Sequence, residues 1–209
     1  MPRSETIKTA LLSVSDKTDL VAFAKRLASH GVTFISTGGT ASTLKDAGFE
    51  VTLISEITGF PEMMDGRVKT LHPKVHGGLL GRRDDPAHML AMQTHGITPI
   101  DLVCVNLYPF EQTIAKPGVT DEQAIEQIDI GGPCLIRAAA KNHAFVTVVT
   151  DPSQYDAVCN HMDSAEGATS LALRQSLAAA AYARTAAYDK VIAEWMAQRW
   201  KNTPSRFES

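Results

Sequence analysis

Thr9-Ala10-Leu11-Leu12-Ser13-Val14-Ser15-Asp16-Lys17 is the stretch whose reading decides the fold. Thr9 to Val14 is an apolar run of strand length, and a polar Ser-Asp-Lys turn closes it. Leu20, Val21, Phe23, Ala24, Leu27 and Ala28 then recur at helical spacing. Ser15 or Asp16 is the expected cap of that helix, and Gly31 its stop. Val32 to Ser36 is a second strand. Strand, helix and strand in this order imply parallel pairing through a right-handed crossover.

The same alternation continues outward. Thr37-Gly38-Gly39-Thr40 opens a short helix ending near Gly48, and Val51 to Ile54 is a third strand. A helix is expected from about Pro86 to His95 with Asp85 as its cap, then a strand from Asp101 to Asn106. Thr120-Asp121-Glu122-Gln123 has the form of a capping box. Pro133 suits the first turn of a helix running to Lys141. Phe145 to Thr150 is a further strand, and Asp151-Pro152 starts another helix. The fold class is α/β, a mainly parallel sheet covered on both faces. Ser170 to Trp200 is a long Ala-rich helical region. The division expected is a core over residues 1–166 and a helical extension over 167–209 that includes the start of a linker.

A net charge of −3 over 209 residues argues against bulk affinity for nucleic acid. Cys104, Cys134 and Cys159 have neither disulfide nor metal-ligand spacing, which fits a reducing compartment and no metal. No apolar run is long enough for a leader or a membrane span. A cytoplasmic protein with a small-molecule partner is expected, with no membrane.

Ligands of open parallel sheets bind beyond the carboxyl ends of the strands. Three polar loops fall there: Ser13 to Lys17, Thr37 to Thr40, and the one starting at Asn106. The first two open helices, whose free N–H groups and dipole favour an anion. Ser13, Ser15, Thr37 and Thr40 offer hydroxyls, Gly38 and Gly39 allow close approach, and Lys17 and Arg67 offer charge. Either loop alone reads as a helix cap; both together, beside a basic stretch, read as a phosphate site. That stretch, Gly66-Arg67-Val68-Lys69-Thr70-Leu71-His72-Pro73-Lys74-Val75-His76-Gly77-Gly78, shows no helical stripe and is read as a ligand loop. Taken singly, Lys69 reads as a solvated lysine, Tyr108 as half-buried packing, Asp129 as a turn carboxylate, and Lys141 as a helix-terminal cation. His72 and His76 read as structural.

Seven motifs in register make a joint signal that none carries alone. Ser13-Val14-Ser15-Asp16-Lys17, Thr37-Gly38-Gly39-Thr40, Gly59-Phe60-Pro61-Glu62-Met63, Gly66 to Pro73, Asn106-Leu107-Tyr108-Pro109-Phe110, Ile128-Asp129-Ile130-Gly131-Gly132 and Arg137-Ala138-Ala139-Ala140-Lys141-Asn142-His143 closely resemble the inosine monophosphate cyclohydrolase domain. The resemblance covers almost the whole chain. It implies a methylglyoxal-synthase-like three-layer sandwich and closure of the second purine ring of 5-formamidoimidazole-4-carboxamide ribotide with loss of water. It implies no metal or organic cofactor, a homodimer, and a following formyltransferase domain in the full-length family protein. By resemblance Lys69, Tyr108, Asp129 and Lys141 are catalytic. Asp129 would accept the proton with Lys141 pairing it, while Lys69 and Tyr108 hold and polarise the reacting groups. Main-chain N–H groups of Ile130 and Gly131 would receive the carboxamide oxygen, and Arg67, Thr70 and Asn106 would join the nucleotide site. A straight helix from Pro133 to Lys141 rises about 12 Å, so local spacing does not bring Asp129 and Lys141 together; the resemblance alone does. Cys134 departs from the family pattern and is read as a buried filler. Three other readings stay open: an allosteric nucleotide-binding module of the same fold, as in carbamoyl phosphate synthetase; a methylglyoxal synthase; and an interaction half docking through its tail.

Overall fold

The computed structural model describes residues 4–108 and 110–201, without the side chain of Asp65. Pro109 and the expected linker at 202–209 lie outside the described residues. The strands are β1 (Glu5–Thr6), β2 (Thr9–Val14), β3 (Thr33–Ser36), β4 (Val51–Leu53), β5 (Leu102–Asn106), β6 (Thr147–Val149) and β7 (Ala168–Thr169). The helices are α1 (Leu20–Ser29), α2 (Gly38–Asp46), α3 (Ile54–Thr58), α4 (Pro73–Leu80), α5 (Pro86–Thr94), α6 (Phe110–Ile114), α7 (Asp121–Glu126), α8 (Gly131–Lys141), α9 (Tyr155–Ser164) and α10 (Leu171–Arg199).

The main sheet has the order β4-β3-β2-β5-β6, with every pair parallel. A small antiparallel pair, β1 with β7, lies outside it. Helices cover both faces of the main sheet: α1 packs with α2 and α9, while α8 packs on β5, β6, α4 and α10. Leu11, Leu12, Leu102 and Val103 are fully buried at the sheet centre. Burying each such side chain contributes roughly 1.5–3 kcal/mol. The register is pinned at the amino edge by Asp101, whose carboxylate accepts the N–H groups of Lys8 and Thr9, both at 2.8 Å. Arg83 completes that buried corner at 2.6 Å. The anchor places Val14 opposite Asn106 at the other edge, where the polar loops begin.

Three local expectations are corrected. The cap of α1 is Asp19, in a left-handed conformation without a side-chain cap bond. Asp16 instead accepts from Thr18 N and Oγ1, a local turn that uses up the carboxylate before the helix begins. The basic stretch is a loop only in its first half, because its second half is α4. Pro73 presets the first turn, and His72 caps it by accepting from Lys74 N at 3.1 Å. Val75 and Leu79, four residues apart, are that helix's buried stripe. Cys134 is half-exposed on α8 and is no buried filler, whereas Cys104 and Cys159 are buried, with thiols pushed up by desolvation to about 12 and about 11.

Candidate active site

Parallel pairing aligns the carboxyl ends of β2, β3 and β5, with Leu12 opposite Ser36 and Val14 opposite Asn106. The three polar loops therefore open on one edge. Several of the predicted ligands hold this edge together. Asn106 Oδ1 accepts from Ser15 N at 2.7 Å, Ser15 Oγ at 2.9 Å and Asp16 N at 3.0 Å. Its Nδ2 donates to Asp16 O at 2.9 Å, so both ends of the amide clamp the first loop. Thr40 is buried, and its hydroxyl exchanges hydrogen bonds with the main chain of Val14 at 2.9 and 3.0 Å. Ser13 Oγ and Thr37 Oγ1 sit 2.9 Å apart, joining the end of β2 to the start of α2.

The cationic end of the site is the N-terminus of α2. Gly38 takes a left-handed φ of 43° there, which suits glycine. A Cβ built on Gly38 would lie 3.9 Å from Lys69 Nζ, and one on Gly39 would lie 3.8 Å from Lys17 Nζ. Two ammonium groups thus stand near the positive end of a helix dipole, a combination that favours an anion. Beside it a cleft of about 340 Å³ is lined by Thr37, Gly38, Ser42, Lys45, Ser55, Phe60, Glu62 and Lys69. Glu62 Oε1 lies 2.5 Å from Lys69 Nζ. Gly66, at φ 86°, leaves room for that pair, since a Cβ there would fall within 3 Å of both side chains.

The opposite end is the N-terminus of α8. Thr70 is buried, and its Oγ1 would lie 2.8 Å from a Cβ on Gly131. The segment carrying Lys69 therefore runs directly onto the turn before α8. In that turn Asp129 Oδ1 accepts from Gly132 N at 2.8 Å, and Asp129 N donates to the Tyr188 hydroxyl at 2.8 Å. Burial raises the Asp129 carboxyl above its ordinary range, while backbone hydrogen bonds from Gly132 and Tyr108 pull the other way. Gly132 has no room for a Cβ beside the Asp129 carboxylate and Leu107. Tyr108 is 52% exposed, about half-buried, and Ile130 is 57% exposed, so both present a face to open space at the site's rim.

Two predicted members lie elsewhere. Lys141 is exposed at the far end of α8. Ten helical steps separate it from Gly131, a rise of about 15 Å, so one protomer does not bring it to Asp129. Arg67 turns outward to Glu126 at 2.7 and 3.2 Å, which holds its guanidinium charged and lowers the Glu126 carboxyl. Sequence reasoning missed Glu62 and Tyr188. Glu62 stood inside the Gly59 to Met63 motif with no role attached. Tyr188 gave no local signal, because it reaches Asp129 only through the packing of α10.

A parallel sheet with glycine-opened helix N-termini and lysines at its carboxyl edge defines an α/β domain with a cationic cleft at its strand ends. The chain belongs to the MGS-like domain family, whose model matches residues 19–134. A second model, the AICARFT/IMPCHase bienzyme, matches residues 139–209. The chain is 60% identical over 200 residues to the bifunctional purine biosynthesis protein PurH of Roseobacter denitrificans, covering 96% of this chain and 38% of that protein. It is 60% identical to PurH of Ruegeria pomeroyi, covering 92% of this chain and 36% of that protein. It therefore spans little more than a third of these curated relatives. The crystal structure of ForH superposes with a TM-score of 0.82 at 37% identity, covering 90% of this chain and 95% of that one.

Proposed function

We propose that this chain is an inosine monophosphate cyclohydrolase. It would close the second ring of a purine nucleotide by converting 5-formamidoimidazole-4-carboxamide ribotide to inosine monophosphate and water. The observation that carries the reading is the layout of the site. A phosphate cradle with Lys17 and Lys69 at the N-terminus of α2 is joined through Thr70 to a partly buried carboxylate at the N-terminus of α8. The likeness to bifunctional purine biosynthesis proteins supports the same reaction.

In the reaction the carboxamide nitrogen bonds to the formyl carbon, and the formyl oxygen gains charge. An amide nitrogen is a poor nucleophile, so Asp129 takes its proton; the carboxyl's raised affinity for protons suits that task. Lys69 and Tyr108 steady the developing oxyanion and protonate it to a hydroxyl. The former formamido nitrogen then gives up its proton as the C–O bond breaks, so that the ring C=N bond forms and the hydroxyl, protonated a second time, leaves as water. N–H groups in the first turn of α8 lack intrahelical partners, and those of Ile130 and Gly131 receive the carboxamide oxygen. Ring closure is intramolecular, so much of the acceleration comes from holding a cyclisable rotamer. The non-catalytic module is disfavoured because it needs no desolvated carboxylate opposite the phosphate cradle.

Lys141 enters this scheme only from a second copy, which fits the homodimer expected from the family. Mixing inactive Asp129→Asn and Lys141→Ala chains is then expected to restore about a quarter of wild-type turnover, from mixed dimers with one intact site each. No recovery on mixing rules out a Lys141 that acts from a second copy. The full-length protein would carry a formyltransferase domain and work in the cytoplasm, with no nucleic-acid or membrane partner. The deciding experiment incubates the folded chain with the formamido ribotide and follows purine absorbance. Absence of cyclisation above background rejects the proposal.

A further inference from the structure

We infer that Tyr188, on the C-terminal helix, is a positioning residue that holds Asp129 in its reactive orientation. The inference rests on the reading of Asp129 as the proton acceptor.

Tyr188 is fully buried at 1% exposure, and its hydroxyl meets the turn before α8. It accepts from Asp129 N at 2.8 Å and faces Gln127 O at 3.4 Å. The turn is thus gripped on both sides of Ile128. On the other side of Asp129, Gly132 N donates to its carboxylate at 2.8 Å. Main chain and side chain of Asp129 are therefore held by separate donor–acceptor pairs, which leaves the carboxylate few orientations. The ring of Tyr188 is itself fixed, edge-on to Phe110 at 6.4 Å between centroids, and Phe110 meets Trp195 at 5.7 Å. Arg199 ties the end of the same helix to Asp121 at 2.5 Å.

The charged groups that act on the Tyr188 hydroxyl are Asp129, Arg184 and Asp189. Gly132 and Tyr108 bear on Asp129 through their main chains. A purely structural tyrosine would stabilise the fold without altering how Asp129 titrates. A positioning tyrosine alters the titration, because releasing the turn lets water reach a carboxyl whose proton affinity is set chiefly by burial.

The test compares wild type with Tyr188→Phe, which keeps the ring and removes the hydroxyl. Trp195→Phe trims packing on the same helix and serves as control. The Asp129 carboxyl is titrated by carbon-13 NMR, and turnover of the formamido ribotide is measured alongside. In Tyr188→Phe the Asp129 midpoint is expected to fall towards the ordinary carboxylate range. Turnover is expected to drop roughly tenfold with KM within about twofold, as misorientation rather than lost binding would give. The Trp195→Phe midpoint is expected to match wild type. An Asp129 midpoint in Tyr188→Phe that does not fall overturns the inference, whatever the turnover. A midpoint that falls while neither protein cyclises the ribotide supports the tether and rejects the proposed reaction instead.

Discussion

At the scale of single residues, Asp129 shows a conflict between stability and function. Its folded-state proton affinity lies above the unfolded one, so the ionised carboxylate costs stability at pH values above the folded midpoint. Below about pH 4, where both states are protonated, that cost vanishes. Asp129→Asn keeps an oxygen for Gly132 N and removes the charge. Turnover is expected to fall by about 10²–10⁴-fold, while the melting temperature at pH 7 rises and the difference closes in acid. A melting temperature at pH 7 that falls instead would mean that the carboxylate is stabilising in place. Gly66 makes the complementary case. Gly66→Ala puts a methyl into the space of the Lys69–Glu62 pair and forces a left-handed φ on an L residue, at a cost of roughly 1–2 kcal/mol. Turnover should drop along with stability, and calorimetry paired with the cyclisation assay separates the two losses. Neither effect is legible in the sequence, where Asp129 taken singly reads as a turn carboxylate and Gly66 only opens the basic stretch.

At the scale of elements, two joints position the site. Asp101 sets the register of β2 against β5, so Asn106 reaches the Ser15–Asp16 loop and clamps it. Arg174 does the same for α10. Fully buried, it donates Nε to His143 O at 2.8 Å, Nη2 to Ala144 O at 3.1 Å, and Nη1 to Thr169 O. These bonds fasten the start of α10 to the end of α8 and to β7. Arg174→Ala leaves several buried carbonyls without donors and is expected to cost at least about 3 kcal/mol by denaturant unfolding. A loss below about 1 kcal/mol would mean that water replaces the guanidinium. The alternation of strands and helices was readable because each element buries a periodic apolar face. The helix of the basic stretch was not: with only Val75 and Leu79 forming its stripe between polar and glycine positions, the periodic signal is weak.

At the scale of the molecule, the proposed function makes the lysines over the start of α2 a link between ligand binding and folding. Inosine monophosphate at one hundred times its dissociation constant is expected to stabilise the native chain by about 2.7 kcal/mol. Lys17→Ala should lose most of that stabilisation at the same concentration; an unchanged thermal shift would remove Lys17 from the phosphate cradle. Long helix α10 shares its core with α8 and β6, burying Leu177, Ala181 and Tyr188 beneath it. The sequence by itself determined the α/β class, the parallel order of elements and the polar loops at the strand ends, because period and turn chemistry are local properties. It also named the lysines and the carboxylate from the family resemblance. Only the tertiary structure decided which of those residues spend their polar atoms inside the fold and which leave them at the cleft. Asn106, Thr40 and Ser15 use their polar atoms on neighbouring main chain, Arg67 pairs with Glu126, and Lys141 stands a helix length from Asp129. Tyr188 reaches Asp129 from 59 residues away. Such assignments depend on which side chains meet across the packed layers, and no local pattern along the chain encodes those distances.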